Sequence, residues 1–109
     1  MAEIKEYSYS ELKKNWNEFE NVITLIYTPT CGTCQLAKKM LMIVAEASPQ
    51  IMVNQINLNT NQQLAIDFEI FSIPCLVIHQ NNICIDKIYK FQSVPHLYEL
   101  INSYFQERI

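Results

Sequence analysis

The chain has 109 residues, half of them hydrophobic and 17% charged, which suits one folded unit and excludes both a disordered polymer and two full domains. Eight basic and eleven acidic residues leave a net charge of −3, with no basic cluster, so electrostatic binding to nucleic acid or to an anionic membrane is not expected. The apolar run Val22–Tyr27 falls far short of the roughly 18–20 residues of a membrane span. The N-terminus, Met1-Ala2-Glu3-Ile4-Lys5-Glu6, lacks the apolar core of a secretory signal, so a complete, cytoplasmic chain is expected.

Taken in chain order, helical and extended patterns alternate. Ser8 and Glu11 stand at capping-box spacing and predict a helix over about 9–19, with Leu12, Trp16 and Phe19 on one face. Val22 to Tyr27 is β-branched and aromatic, as in a strand buried on both faces. Pro29 ends it, because it cannot donate to a ladder and disfavours helix at Thr28. A helix over 34–47 follows, with Leu36, Ala37, Met40, Leu41, Val44 and Ala45 as its apolar stripe, closed by Ser48-Pro49. Ile51 to Leu58 reads as a strand. Asn59-Thr60-Asn61 offers N-caps for a helix through about Glu69.

After a turn at Phe71-Ser72-Ile73-Pro74, Cys75 to Ile78 and Ile83 to Tyr89 read as two strands joined tightly at Gln80-Asn81-Asn82. A final helix covers about 94–105. Strands alternating with helices imply right-handed crossovers and a parallel portion of sheet, while the last two strands must be antiparallel. The fold class is therefore α/β: a mixed sheet of four strands, or five with a short initial strand near Ile4, with helices on both faces. The expected organisation is a single domain over 1–109.

Chemistry concentrates at Cys31-Gly32-Thr33-Cys34. Cys31 falls after a strand at the opening of a helix, where unpaired backbone N–H groups and the helix dipole stabilise a thiolate below the free value of about 8.5. Cys34, one turn later, lies on the same side and within reach of the Cys31 sulfur. Cys31 would attack a substrate disulfide, Cys34 would resolve the mixed disulfide, and no metal or organic cofactor would be needed. Structural zinc is the competing use of such a pair, but the remaining candidates, Cys75, Cys84, His79 and His96, are not paired at ligand spacing.

The run Ile23-Thr24-Leu25-Ile26-Tyr27-Thr28-Pro29-Thr30-Cys31-Gly32-Thr33-Cys34, followed by a helix and then by Phe68-Glu69-Ile70-Phe71-Ser72-Ile73-Pro74 before a hairpin and a terminal helix, resembles the thioredoxin family over nearly the whole chain. The resemblance implies the thioredoxin fold and the reduction of protein disulfides through Cys31 and Cys34. It implies a cis Pro74 beside the cysteines, and an Ile73 that offers its backbone to an extended substrate. Thr30, Gly32 and Thr33 would complete the substrate-facing surface. The partners it implies are disulfide-containing proteins and a flavin-dependent thioredoxin reductase, acting on a monomer. Glutaredoxins share the fold, but they carry a glycine-rich turn after the last hairpin, and Gly32 is the only glycine here.

The chain also departs from the family. Thr30 stands where thioredoxins have tryptophan, Gly32-Thr33 replaces Gly-Pro, and the glycines near Phe91 are missing. Leu25 replaces the buried acid that assists the resolving cysteine, and Gln55 replaces its lysine neighbour. These changes point to a specialised relative, or to a redox-sensing module with a switchable pair and little turnover. Of the other residues, Cys75 is expected as a small buried hydrophobe and Cys84 opposite Ile78, unbonded to Cys75. His79 and His96 are expected to face solvent, Trp16 to lie in the core or at its rim, and Tyr27 to pack near the cysteines.

Overall fold

The computed structural model describes residues 4–105. In chain order the elements are β1 (Lys5–Glu6), α1 (Tyr9–Glu18), β2 (Asn21–Tyr27), α2 (Gly32–Ala47), β3 (Met52–Asn57), α3 (Gln63–Asp67), β4 (Cys75–Gln80), β5 (Ile83–Ile88) and α4 (Val94–Tyr104). Five strands form one sheet in the order β1-β3-β2-β4-β5. β1 and β2 run parallel to β3, whereas β4 runs antiparallel to both β2 and β5.

Local chemistry accounts for most of these elements. The capping box forms: Glu11 N–H donates to Ser8 Oγ at 3.3 Å, and Ser8 N–H donates to Glu11 Oε1 at 2.9 Å. Serine also caps α4, with His96 N–H donating to Ser93 Oγ, and Pro95 sits in the first turn, where a missing N–H costs no helical bond. Asn81 and Asn82 both adopt positive φ (52° and 65°), the conformation a tight two-residue hairpin requires and asparagine tolerates.

The helix expected after β3 is reduced to a 3₁₀ turn over Leu58–Thr60 and the five-residue α3. Asn57 Oδ1 accepts from Asn59 N–H, and Asn61 Nδ2 donates to the Asn57 carbonyl. These side chains supply local alternatives to helical bonding.

The sheet separates two hydrophobic clusters. On one face Ala37, Met40, Leu41 and Val44 of α2 and Leu97 and Ile101 of α4 cover Ile23, Leu25, Val53, Leu76 and Ile78. On the other, Leu12 and Trp16 of α1 and Leu64 of α3 cover Val22, Ile26, Ile56, Cys75 and Val77. Helices therefore lie on both faces of the mixed sheet, as the alternation of patterns predicts.

Two expectations are corrected. His79 does not face solvent: it is 2% exposed. β4 lies between β2 and β5, and its α1 side is covered, so an imidazole on that side packs in the core. Its ring stacks on Trp16 with centroids 3.9 Å apart and an interplanar angle of 12°, while Phe68 meets it edge-on. Cys84 pairs with His79 rather than with Ile78, because the turn has two residues, Asn81-Asn82, which sets Gln80 against Ile83 and His79 against Cys84; a bulge between Ile78 and His79 then sets Ile78 against Asp86. Cys75 and Cys84 are both free, and Cys75 is fully buried.

Candidate active site

The site is built where β2 gives way to α2. Val22 to Ile26 are buried, fixing β2 in the middle of the sheet, and Thr28-Pro29-Thr30 turns the chain out of it. The Cys31 N–H closes this turn on the Thr28 carbonyl at 3.2 Å. Cys31 is the N-cap of the sixteen-residue α2, with extended backbone and its sulfur in the capping position: Cys34 N–H donates to Cys31 Sγ at 3.2 Å. Cys31 and Cys34 are joined as a disulfide with Cα atoms 5.2 Å apart.

The two sulfurs sit in different surroundings. Cys31 is half-exposed, whereas Cys34 is 1% exposed, beneath the first turn of the helix. An incoming disulfide can therefore meet Cys31, while Cys34 is confined to reacting with its neighbour. The other two thiols do not compete. Burial pushes the Cys75 thiol up to about 11 and raises that of Cys84 as well, so both stay protonated at neutral pH.

The remaining predicted site residues divide by exposure. Thr30, Gly32 and Thr33 are exposed, and a Cβ built on Gly32 would meet nothing within 4 Å. The Thr33 hydroxyl lies 3.3 Å from Cys31 Sγ, a contact that spacing alone did not reveal. Ile73 and Pro74 are half-buried, and the peptide bond between them is cis. Ile26 pairs with Cys75, so this register places Pro74 at the end of the sheet from which the cysteine turn departs. Ile73 packs against the α1-side cluster.

Directly under α2, β2 and β3 place Leu25 opposite Gln55, and both are buried. Gln55 donates through Nε2 to the Ile4 carbonyl at 2.9 Å. This layer carries no titratable side chain between its two members. Tyr27 packs against the α2-side cluster and its hydroxyl donates to Glu6. Among the described residues, no three His, Cys, Asp or Glu side chains are grouped to hold a metal ion.

A redox-active pair at the junction of a central strand and a long helix, with a cis-proline turn at the same end of a five-stranded mixed sheet, defines a thiol–disulfide oxidoreductase of thioredoxin fold. The thioredoxin family model matches residues 3–103, and the chain belongs to the thioredoxin family. It is 37% identical over 103 residues to the thioredoxin-like protein YusE of Bacillus subtilis, covering 94% of this chain and 92% of that protein. An N21Q mutant thioredoxin from Halobacterium salinarum superposes with a TM-score of 0.88 at 24% identity, covering 98% of this chain and 95% of that one. A 72-residue match at 32% identity joins 64% of this chain to 14% of the NADPH-dependent thioredoxin reductase 3 of Arabidopsis thaliana.

Proposed function

We propose that the protein reduces disulfides in other proteins by dithiol exchange, with Cys31 as nucleophile and Cys34 as resolving thiol. The observation that carries this reading is the asymmetry of the pair: a half-exposed Cys31 caps α2, and a buried Cys34 sits one turn away within bonding distance. The helix N-terminus favours the Cys31 thiolate electrostatically. Thr30, Gly32, Thr33, Ile73 and Pro74 frame the approach of an extended substrate segment. The open space above Gly32 supports that role for its neighbourhood. A thioredoxin reductase is the proposed electron donor, and a relative that itself bears the reductase name supports the pairing. A monomer working in the cytoplasm is the setting proposed for this chemistry.

Insulin reduction followed by turbidity, with dithiothreitol or a reductase system as donor, tests the reading. Wild type is expected to turn over and Cys31→Ser to be inactive; a wild type without activity under either donor overturns it. The layer of Leu25 and Gln55 favours a second reading, a redox-sensing module whose resolving thiol exchanges slowly for want of a nearby acid. The reduction potential separates the two. A value near the thioredoxin level of about −270 mV marks a reductant, and a much less negative one without reductase coupling marks a sensor.

A further inference from the structure

We propose that the Thr33 hydroxyl is a working part of the dithiol: it donates a hydrogen bond to Cys31 Sγ and holds Cys31 as thiolate once the disulfide opens. This rests on the dithiol chemistry proposed above and names the side chain that tunes its nucleophile. Two polar atoms approach the Cys31 sulfur, Thr33 Oγ1 at 3.3 Å and the Cys34 backbone nitrogen at 3.2 Å. A disulfide sulfur carries no proton, so between hydroxyl and sulfur only the hydroxyl can donate. The Cys34 N–H is supplied by the backbone whatever the side chains. The second donor exists only because residue 33 carries a side-chain hydroxyl.

The surroundings leave this stabilisation to donors rather than to ion pairs. No acidic residue stands in the first turn of α2. The nearest charges along the helix are those of Lys38 and Lys39, and the segment Ile70–Pro74 carries none. Among the described residues no charged side chain is hydrogen-bonded to Cys31. A hydrogen bond to an ionised group is shorter and stronger than one to a neutral group, so this contact strengthens when the sulfur becomes S⁻.

The effect falls on defined steps. The Cys31 thiolate attacks one sulfur of a substrate disulfide, forming the mixed disulfide and expelling the other substrate sulfur as a thiolate. The Cys34 thiolate then attacks Cys31 Sγ, forming the Cys31–Cys34 bond and releasing the second substrate thiolate. Two electrons pass from the dithiol to the substrate, and the two protons of the dithiol end on the substrate thiols. Thr33 acts at the start of this sequence and, in reverse, when Cys31 departs as a thiolate.

The test compares Thr33→Val, which keeps the branched shape without the hydroxyl, with Thr33→Ser, which keeps the hydroxyl. In reduced protein, the rate of Cys31 alkylation by iodoacetamide is followed against pH, with the modified site identified by peptide mass. Thr33→Val is expected to move the Cys31 titration up by about one pH unit, a tenfold loss of thiolate below it, or ~1.4 kcal/mol. Thr33→Ser is expected to titrate with wild type. A Thr33→Val midpoint that does not move, or a Thr33→Ser shift as large as that of valine, overturns the proposal. Wild-type insulin turnover is read separately. An inactive wild type overturns the proposed function, whereas an active wild type with an unmoved Thr33→Val overturns the role of Thr33 alone.

Discussion

Acidification should destabilise this protein through His79, and the size of the effect follows from its packing. The ring is 2% exposed and lies flat on Trp16, its Nδ1 has no hydrogen-bond partner among the described residues, and burial holds its pKa down to about 4. In the unfolded chain a histidine titrates near 6.5. Between those values the unfolded state binds a proton that the folded state refuses, so stability falls as pH falls. The contribution is complete above about pH 6.5, declines down to about pH 4, and levels off below it. A folded value of about 4 against about 6.5 in the unfolded chain corresponds to on the order of 3 kcal/mol. For a domain of this size that lowers the melting temperature by on the order of 10 °C or more. Urea unfolding of the oxidised protein, followed by the emission of Trp16 across this range, measures the loss. His79→Phe keeps the aromatic stack and removes the titration, so its stability should decline less steeply, the carboxylates being common to both chains. Parallel curves for the two proteins, or an NMR titration of His79 near the unperturbed value, would refute the reasoning.

Two further outcomes follow from the same face of the sheet. Trp16 Nε1 donates to Thr24 Oγ1 at 3.2 Å in a fully buried setting, so Thr24→Val strands an indole N–H and should cost about 1–3 kcal/mol in urea unfolding. Thr24→Ser retains the acceptor and should cost less; equal losses would remove the hydrogen bond as the cause. Trp16 is the only tryptophan and it packs in the α1-side cluster, so opening the Cys31–Cys34 disulfide should leave its emission nearly unchanged. A large change on reduction would show that the redox state reaches the α1 face.

The parts of the fold that were legible in the sequence are those decided locally. Ser8 and Glu11 mark the start of α1 because the capping box is a contact over three residues. Asn81-Asn82 marks the hairpin because positive φ is a property of the turn itself. The cysteine pair is legible for the same reason, since a strand, a proline and a helical stripe place Cys31 at a helix N-terminus without any tertiary contact. His79 illustrates the opposite case. Histidine at a strand end near a polar turn suggests solvent, and only the order of the five strands shows that both sides of β4 are covered. The partner of Cys84 depends on where the turn is centred: two residues, Asn81-Asn82, set it against His79, whereas a turn centred on Asn81 alone sets it against Ile78. The contact between Thr33 and Cys31 depends on a side-chain rotamer, which spacing does not fix.

The division of the core also bears on how the chemistry should be tested. β2 and β4 present alternate residues to opposite faces, so Leu25 and Leu76 belong to the α2 side, and Val22, Ile26 and Val77 to the α1 side. The polar atoms of Trp16, Thr24 and His79 gather on the α1 side, whereas the layer beneath α2 pairs Leu25 with Gln55. Neither Leu25 nor Gln55 can take up a proton, so in the proposed chemistry the donors at the reacting sulfur are the Thr33 hydroxyl and the Cys34 N–H. Substitutions on the α1 side then change how tightly the sheet is held without touching those donors. A variant such as Thr24→Val is therefore the proper control for Thr33→Val: the first separates lost stability from lost chemistry, and the second removes a hydroxyl from the reacting sulfur while leaving the core as it is.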